Sequence, residues 1–272
     1  MVNLDIYKQQ LKEFYGSRTT YDYEEGTRHP LEAKILLEFV PLQQGQKILD
    51  VATGTGLIAI PAAEKVGSQG YVIGIDMTPG MLHQARQKIA ETNLQNIELI
   101  EADVEYFNFN DDSFDVVFCC EAIVLFPDIL AMLQKWYHYL KIGGFVAFTS
   151  PPETAYLGTV YQNICKKVLG VSVQHILEEL GTPEKCHNLL QQAGFRDIEI
   201  KIEPSGRYRN LQDKRLTARE LNTSFKGNPL LANLSLAQLD QFQLEYSAEI
   251  AKLTTDQGVW EDTTKFFVRA RK

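Results

Sequence analysis

Short apolar runs rich in Val, Ile and Phe alternate along this chain with segments whose apolar residues recur every three or four positions. KILDVA (47–52), YVIGID (71–76), IELIEADV (97–104), FDVVFCCEAI (114–123) and GGFVAFTS (143–150) read as strands buried on both faces. Between them, LIAIPAAEKV, PGMLHQARQKIAETN and PDILAMLQKWYHYL read as amphipathic helices, with Pro79 tolerated in a first helical turn. Strand and helix in regular alternation predict an α/β fold with a mostly parallel sheet. Upstream, residues 4–15 and LEAKILLEFVPL (31–42) are helical, separated by the polar, aromatic connector YGSRTTYDYEEGTRHP.

From residue 151 the rhythm changes. A first insertion, 151–181, carries the helical pattern YLGTVYQNICKKVLG, and a second, 204–262, reads as mostly helical, with KIEPSGRYRNLQDKR as a loop. Between them TPEKCHNLLQQAGF is a helix with Thr182 as its cap and Pro183 behind it, followed by the strand FRDIEIKIE. TKFFVRARK closes as a final strand. The expected organisation is one domain: an N-terminal gate segment at 1–34, a core of 35–150 with 182–203 and 263–272, and a helical cap from the two insertions.

The turn ILDVATGTGLIAI (48–60) fits G-x-G-x-x-A through Gly54, Gly56 and Ala59, a cradle that could serve several nucleotides. Asp50, ahead of the turn, would repel a phosphate and suits an ammonium group. Asp76 closes the next strand, 20 residues after Gly56, where a carboxylate accepts ribose hydroxyls. Asp103 and Val104 follow the third strand, placed to read an adenine edge. Three acids at successive strand ends point to a cationic adenosyl ligand without phosphates.

ILDVATGTG, GIDMTPGML, EADVEYFNF, DDSFDVVFCCEAI and LKIGGFVAF resemble, in order and spacing, the motifs of class I S-adenosylmethionine-dependent methyltransferases. The similarity is to the small-molecule branch that includes the ubiquinone and menaquinone methyltransferases. It implies a Rossmann-like seven-stranded sheet, mostly parallel with an antiparallel last strand, and S-adenosylmethionine as cofactor. By that resemblance Ala52, Thr53, Gly54 and Gly56 bring bare main chain to the methionine part, with Ala52 standing where many members have glycine. Asp76 would hold the ribose, Met77 and Met81 would pack near the adenine, and Glu121 and Ala122 would border the transferring methyl. Of the N-terminal residues Tyr15, Arg18, Tyr21 and Tyr23, Tyr21 is the best choice for a cofactor contact.

Methyl transfer from a sulfonium needs mainly alignment and exclusion of water, and a base only where the acceptor keeps a proton. The candidates for catalytic work are Glu121, His175 and His29, while His83, His138 and His187 fall on helices that cover the sheet. Leu125 and Phe126 occupy the neighbourhood in which some amine-methylating relatives carry histidine. Tyr156, Tyr161 and Trp260 are the candidate substrate contacts, suggesting a small apolar or aromatic metabolite. A catalytically silent cofactor-binding partner subunit and a nicotinamide oxidoreductase are the competing readings.

Composition narrows the picture further. The 272 residues are 44% hydrophobic and 23% charged, with a net charge of −8, which disfavours a nucleic-acid partner. The N-terminus lacks an apolar leader pattern, and no apolar run approaches the ~20 residues of a membrane span. Cys119, Cys120, Cys165 and Cys186 show no CxxC spacing, so reduced thiols, no metal centre and a cytoplasmic location are expected. No cysteine precedes Cys119, which argues against metalloid methylation. Self-association into a homo-oligomer is compatible with the sequence.

Overall fold

A computed structural model describes residues 4–17, 27–212 and 214–272. Two helices, α1 (Leu4–Gly16) and α2 (His29–Phe39), precede the sheet. Strands and helices then alternate as β1 (Lys47–Val51), α3 (Ala59–Val66), β2 (Tyr71–Asp76), α4 (Pro79–Ala90), β3 (Ile97–Glu101), β4 (Phe114–Cys119), α5 (Ile129–Tyr139) and β5 (Leu140–Ser150). Next come α6 (Gly158–Leu169), α7 (Pro183–Gln192), β6 (Arg196–Glu203) and β7 (Gly206–Arg209). The remainder is α8 (Ala218–Ser224), α9 (Pro229–Ala232), α10 (Leu236–Leu253), β8 (Val259–Asp262) and β9 (Lys265–Arg271).

Seven strands form one sheet in the order β3-β2-β1-β4-β5-β9-β6. The pairs β3–β2, β2–β1, β1–β4 and β4–β5 are parallel. The last strand is antiparallel, because the Gly143 N–H donates to Lys272 O and the Lys272 N–H to Gly144 O, setting the end of β9 against the start of β5. The expected sheet is therefore the observed one. Strand order reverses at β1, with β2 on one side and β4 on the other, the point at which open α/β sheets leave a crevice beyond their carboxyl ends.

Sequence determines the helix ends locally. Asp128 accepts from the Ala131 amide at the start of α5, Pro79 opens α4, and Gly67, at φ 67°, ends α3. Thr182 accepts from the Lys185 amide, as its capping position predicts. One face of the sheet packs Leu36, Ile48, Ile58, Ala62, Val72, Phe118 and Phe267 into a core from α2, α3 and four strands.

The chain divides into two compact units: Lys12–Ser150 with Cys186–Lys201 and Phe267–Lys272, and Met1–Leu11 with Pro151–Lys185 and Ile202–Phe266. The second, mostly helical unit has its own core, including Tyr161, Ile164, Leu221, Phe225, Phe242 and Tyr246. The sequence here suggested helices and a loop, yet β7 and β8 pair as an antiparallel hairpin in register Tyr208↔Trp260. Glu261 explains the difference: buried on β8, it receives Arg207 and Arg209 from β7 at 2.9 and 3.1 Å, so charge pairing holds strands too short and polar to announce themselves.

Asp50 shapes the turn after β1. It is 2% exposed, and its Oδ2 accepts from the Thr53 hydroxyl at 2.6 Å and from the Ala59 amide at 3.1 Å. The second bond satisfies an amide at the N-terminus of α3, an end that favours negative charge. Burial nevertheless dominates and pushes the carboxyl up from 3.8 to about 7, with the charge of Asp76 adding to the rise. Opposite this turn β2 carries Gly74, where a Cβ would lie 2.8 Å from Thr53 Oγ1 and 2.8 Å from Leu99 Cδ2. Gly74 leaves room for the side chain that Asp50 holds.

Two outcomes follow from this turn. Gly74→Ala is expected to destabilise the fold by about 1–3 kcal/mol through overpacking, measured by urea unfolding; an unchanged midpoint would show that Thr53 moves aside freely. For Asp50, the folded chain keeps a proton between about pH 4 and about pH 7 that the unfolded chain has lost, so stability falls as pH rises through that window. Thermal melts of Asp50→Asn should lack this part of the slope, and profiles parallel to wild type would refute the assignment.

Candidate functional site

Parallel pairing brings the carboxyl ends of β1 to β4 to one edge of the sheet, and the acids singled out in the sequence stand along it. Within the turn Ala52, Gly54 and Gly56 have φ of 54°, 55° and 84°. A Cβ on Gly56 would meet Ile60 Cδ1 at 2.9 Å, whereas one on Gly54 would meet nothing closer than Ala52 O at 4.0 Å. The main chain at Gly54 is thus bare and open. Ala52 adopts a left-handed conformation that glycine takes without strain, at a cost of roughly 1 kcal/mol.

Asp76 ties this turn to the end of β2. Its Oδ2 accepts from the Gly54 amide at 2.9 Å and its Oδ1 from the Thr78 amide at 2.8 Å. Burial raises its pKa above the ordinary carboxylate value, and the Thr78 and Gly54 amides oppose the rise. Met77 beside it is half-buried and Met81 lies in the core.

Beyond β3, Asp103 Oδ1 accepts from the Glu105 amide at 3.0 Å, and the Asp103 carbonyl accepts from the Tyr106 and Phe107 amides. Val104 is buried, and its carbonyl accepts from Lys135 Nζ at 3.0 Å, as the Glu105 carbonyl does at 2.9 Å. Phe109 packs edge-on against Phe114 and Tyr139, fixing the rest of the loop.

At the end of β4, Glu121 takes a left-handed φ of 58°. Its amide donates to Thr149 Oγ1 at 2.7 Å, and that hydroxyl donates to Glu121 Oε1 at 2.6 Å. Ala122 follows, half-buried, and a single turn of 3-10 helix over Ile123–Leu125 leads to the half-buried Phe126. His29 and Glu32, on the first turn of α2, meet Glu121: one ligand atom from each lies within 4.8 Å of the others. Glu32 is 4% exposed and was not singled out in the sequence; its place three residues after His29 was the available signal. Thr149 and Lys135 gave no local signal at all.

The other sequence-chosen residues belong to the helical unit. His175 is buried there, its Nδ1 accepts from the Leu177 amide at 3.3 Å, and Phe225 packs edge-on against it at 5.1 Å. Burial lowers the imidazole to about 4, so it is neutral. Tyr161 is buried with its hydroxyl accepting from Lys214 Nζ at 3.0 Å. Trp260 stacks edge-on against Tyr208 across the hairpin, and the exposed Tyr156 accepts from Lys265 Nζ at 3.4 Å. Each of the four has a structural occupation inside its unit. Tyr15 packs edge-on against Phe14; Arg18, Tyr21 and Tyr23 lie outside the described residues.

The four cysteines carry no disulfide. Burial pushes the Cys119 and Cys120 thiols well above their ordinary value, with neighbouring acids adding, and Cys165 up to about 12.

An open glycine turn flanked by carboxylates fits a donor whose charge is positive and whose sugar carries free hydroxyls. A model of a methyltransferase domain matches residues 42–194, more than half the chain. Aklanonic acid methyltransferase DauC of Streptomyces sp. strain C5 is 38% identical over 146 residues, 53% of this chain and a little under two thirds, 66%, of that enzyme. Demethylmenaquinone methyltransferase of Staphylococcus epidermidis is 34% identical over 194 residues, covering 66% of this chain and 80% of the relative. In fold, the chain resembles the YcgJ protein of Bacillus subtilis, with a TM-score of 0.59 at 14% identity over 90% of this chain and 99% of that one. It also resembles phosphoethanolamine N-methyltransferase 2 of Haemonchus contortus, with a TM-score of 0.55 at 21% identity over 89% and 52%. By its matching domain, its sheet order and its relatives, the chain belongs to the class I S-adenosylmethionine-dependent methyltransferases and takes its methyl group from S-adenosylmethionine.

Proposed function

We propose that the acceptor is a small apolar or aromatic metabolite, methylated by in-line displacement beside the end of β4. The observation that carries this reading is the convergence at one sheet edge of the bare turn at Gly54, the acids Asp50, Asp76 and Asp103, and Glu121. S-adenosylmethionine supplies a methyl group already activated by a positively charged sulfur. In this reading the main chain of Ala52, Thr53, Gly54 and Gly56 lies along the methionine part, while the Asp50 charge favours the ammonium group from beneath the turn. Asp76 exchanges its amide partners in part for ribose hydroxyls. Asp103 and the Val104 amide face the adenine edge, with Met77 and Met81 packed nearby, and Tyr21 stays assigned to the cofactor.

Glu121 and Ala122 border the methyl. Leu125 and Phe126, half-buried and three and four residues after Ala122, supply apolar surface for an acceptor. Two relatives are named for aklanonic acid and demethylmenaquinone, an acid and a quinone, which supports an acceptor of that general kind. An acceptor that keeps a proton releases it next to His29 and Glu121, which the fold brings together. His175 leaves the list of catalytic candidates in this reading, since its Nδ1 is engaged with Leu177 and its ring packs on Phe225. Among the described residues no helix is long and apolar enough to cross a membrane, which, with free cysteines, supports a cytoplasmic location.

A labelled-methyl assay across a metabolite extract, read by mass spectrometry, is expected to label a small organic product. Binding of S-adenosylhomocysteine with no labelled product from any extract would instead indicate a silent partner subunit. Asp76→Ala should weaken S-adenosylhomocysteine by about tenfold to a hundredfold in calorimetry, the loss of hydrogen bonds to a charged group. Asp76→Asn, which retains an acceptor oxygen, should lose less. Unchanged affinity in Asp76→Ala would remove the ribose role.

A further inference from the structure

We propose that His29, Glu32 and Glu121 form a binding site for one divalent first-row transition-metal cation, such as Mn2+ or Zn2+. The three residues come from two distant parts of the chain: the first turn of α2 supplies His29 and Glu32, and the end of β4 supplies Glu121. One imidazole nitrogen and two carboxylate oxygens lie within 4.8 Å of one another. Ligands sharing an ion at about 2.1 Å lie roughly 3–4 Å apart, so a small inward rotation of the side chains closes the set.

Charge favours occupancy. Two carboxylates this close repel unless a cation or proton lies between them, and Glu32 is only 4% exposed. Arg28 Nε lies 3.6 Å from Glu32 Oε1, and the imidazole Nδ1 of His29 lies 3.6 Å from Oε2. The Arg28 side chain is 47% exposed and can turn to solvent when an ion takes its place. A mixed imidazole and carboxylate set suits Mn2+, Fe2+, Co2+ or Zn2+ better than Ca2+, which prefers six to eight oxygens.

Outside the trio, Thr149 orients the Glu121 carboxylate through its 2.6 Å hydrogen bond, the kind of support that ligating carboxylates receive. Three protein ligands leave coordination positions open. An acceptor oxygen taking one of them would be held beside Glu121 and, acidified by the ion, would release its proton to bulk water, since His29, Glu32 and Glu121 are then occupied as ligands. This use of the ion rests on the functional reading above; the site itself stands on geometry. The acceptor class becomes narrower: a hydroxyl, enol or carboxylate oxygen able to bind a metal.

The test uses the full chain, stripped with a chelator and dialysed. Mn2+ is titrated by electron paramagnetic resonance, and Zn2+ by calorimetry. One ion per chain should bind, and Glu121→Gln and His29→Ala should each weaken it by about tenfold or more. Glu32→Gln should do the same if thermal melts show it folded; Glu121→Gln, on a partly exposed carboxylate, decides the matter if it is not. No saturable binding, or binding unchanged in Glu121→Gln and His29→Ala, would overturn the proposal. S-adenosylhomocysteine titrated into the same preparation reports the cofactor site separately. Nucleoside binding without an ion refutes the metal site alone. An ion bound without nucleoside supports the metal site and refutes the functional reading.

Discussion

The buried carboxylate of Asp50 holds together the end of the central strand, the turn that follows it and the first amide of α3. Because the Thr53 hydroxyl is fixed to that carboxylate, the next residue, Gly54, presents its amide sideways to Asp76, which in turn fixes Thr78 at the head of α4. Two acids on adjacent parallel strands thus anchor two helix starts and the bare main chain between them. The cost is visible in both groups, whose ionisation burial disfavours. A class of enzymes that handles a cation can use that cost, because a positive ligand laid over the turn relieves it.

The fold was legible where the signal was local. Period-two and period-3.6 patterning gave the core strands and helices, Thr182 and Pro183 gave the start of α7, and five motifs in order gave the family. Asp50, Asp76 and Asp103 were legible because each stands at the end of its own strand. What stayed hidden was pairwise and distant. Nothing near Thr149 says that its hydroxyl meets Glu121, 28 residues away, and Gly74 reveals its purpose only when Thr53 faces it across β2. Glu32 sat one turn from a noted histidine, yet only the fold brings β4 to it.

The helical unit was the least legible part for a related reason. Its hairpin is set by Glu261 reading Arg207 and Arg209, not by alternating apolar residues. Among its aromatic residues, Tyr161 is buried, near Tyr246 at 5.9 Å and beneath Lys214, whose Nζ is 5.7 Å from the ring, whereas Tyr156 and Trp260 are exposed. Aromatic residues at helical spacing look alike in sequence whether they line a ligand or a core.

The state of the thiols has a practical corollary. Cys119, Cys165 and Cys186 are fully enclosed, and Cys119, Cys120 and Cys165 stay protonated at neutral pH, so the first three are out of reach and Cys120 offers no nucleophilic thiolate for maleimides or electrophilic rings to attack. A cysteine introduced on the exposed face of α10, for instance at Gln241, could therefore carry a fluorescent reporter with the native thiols left in place.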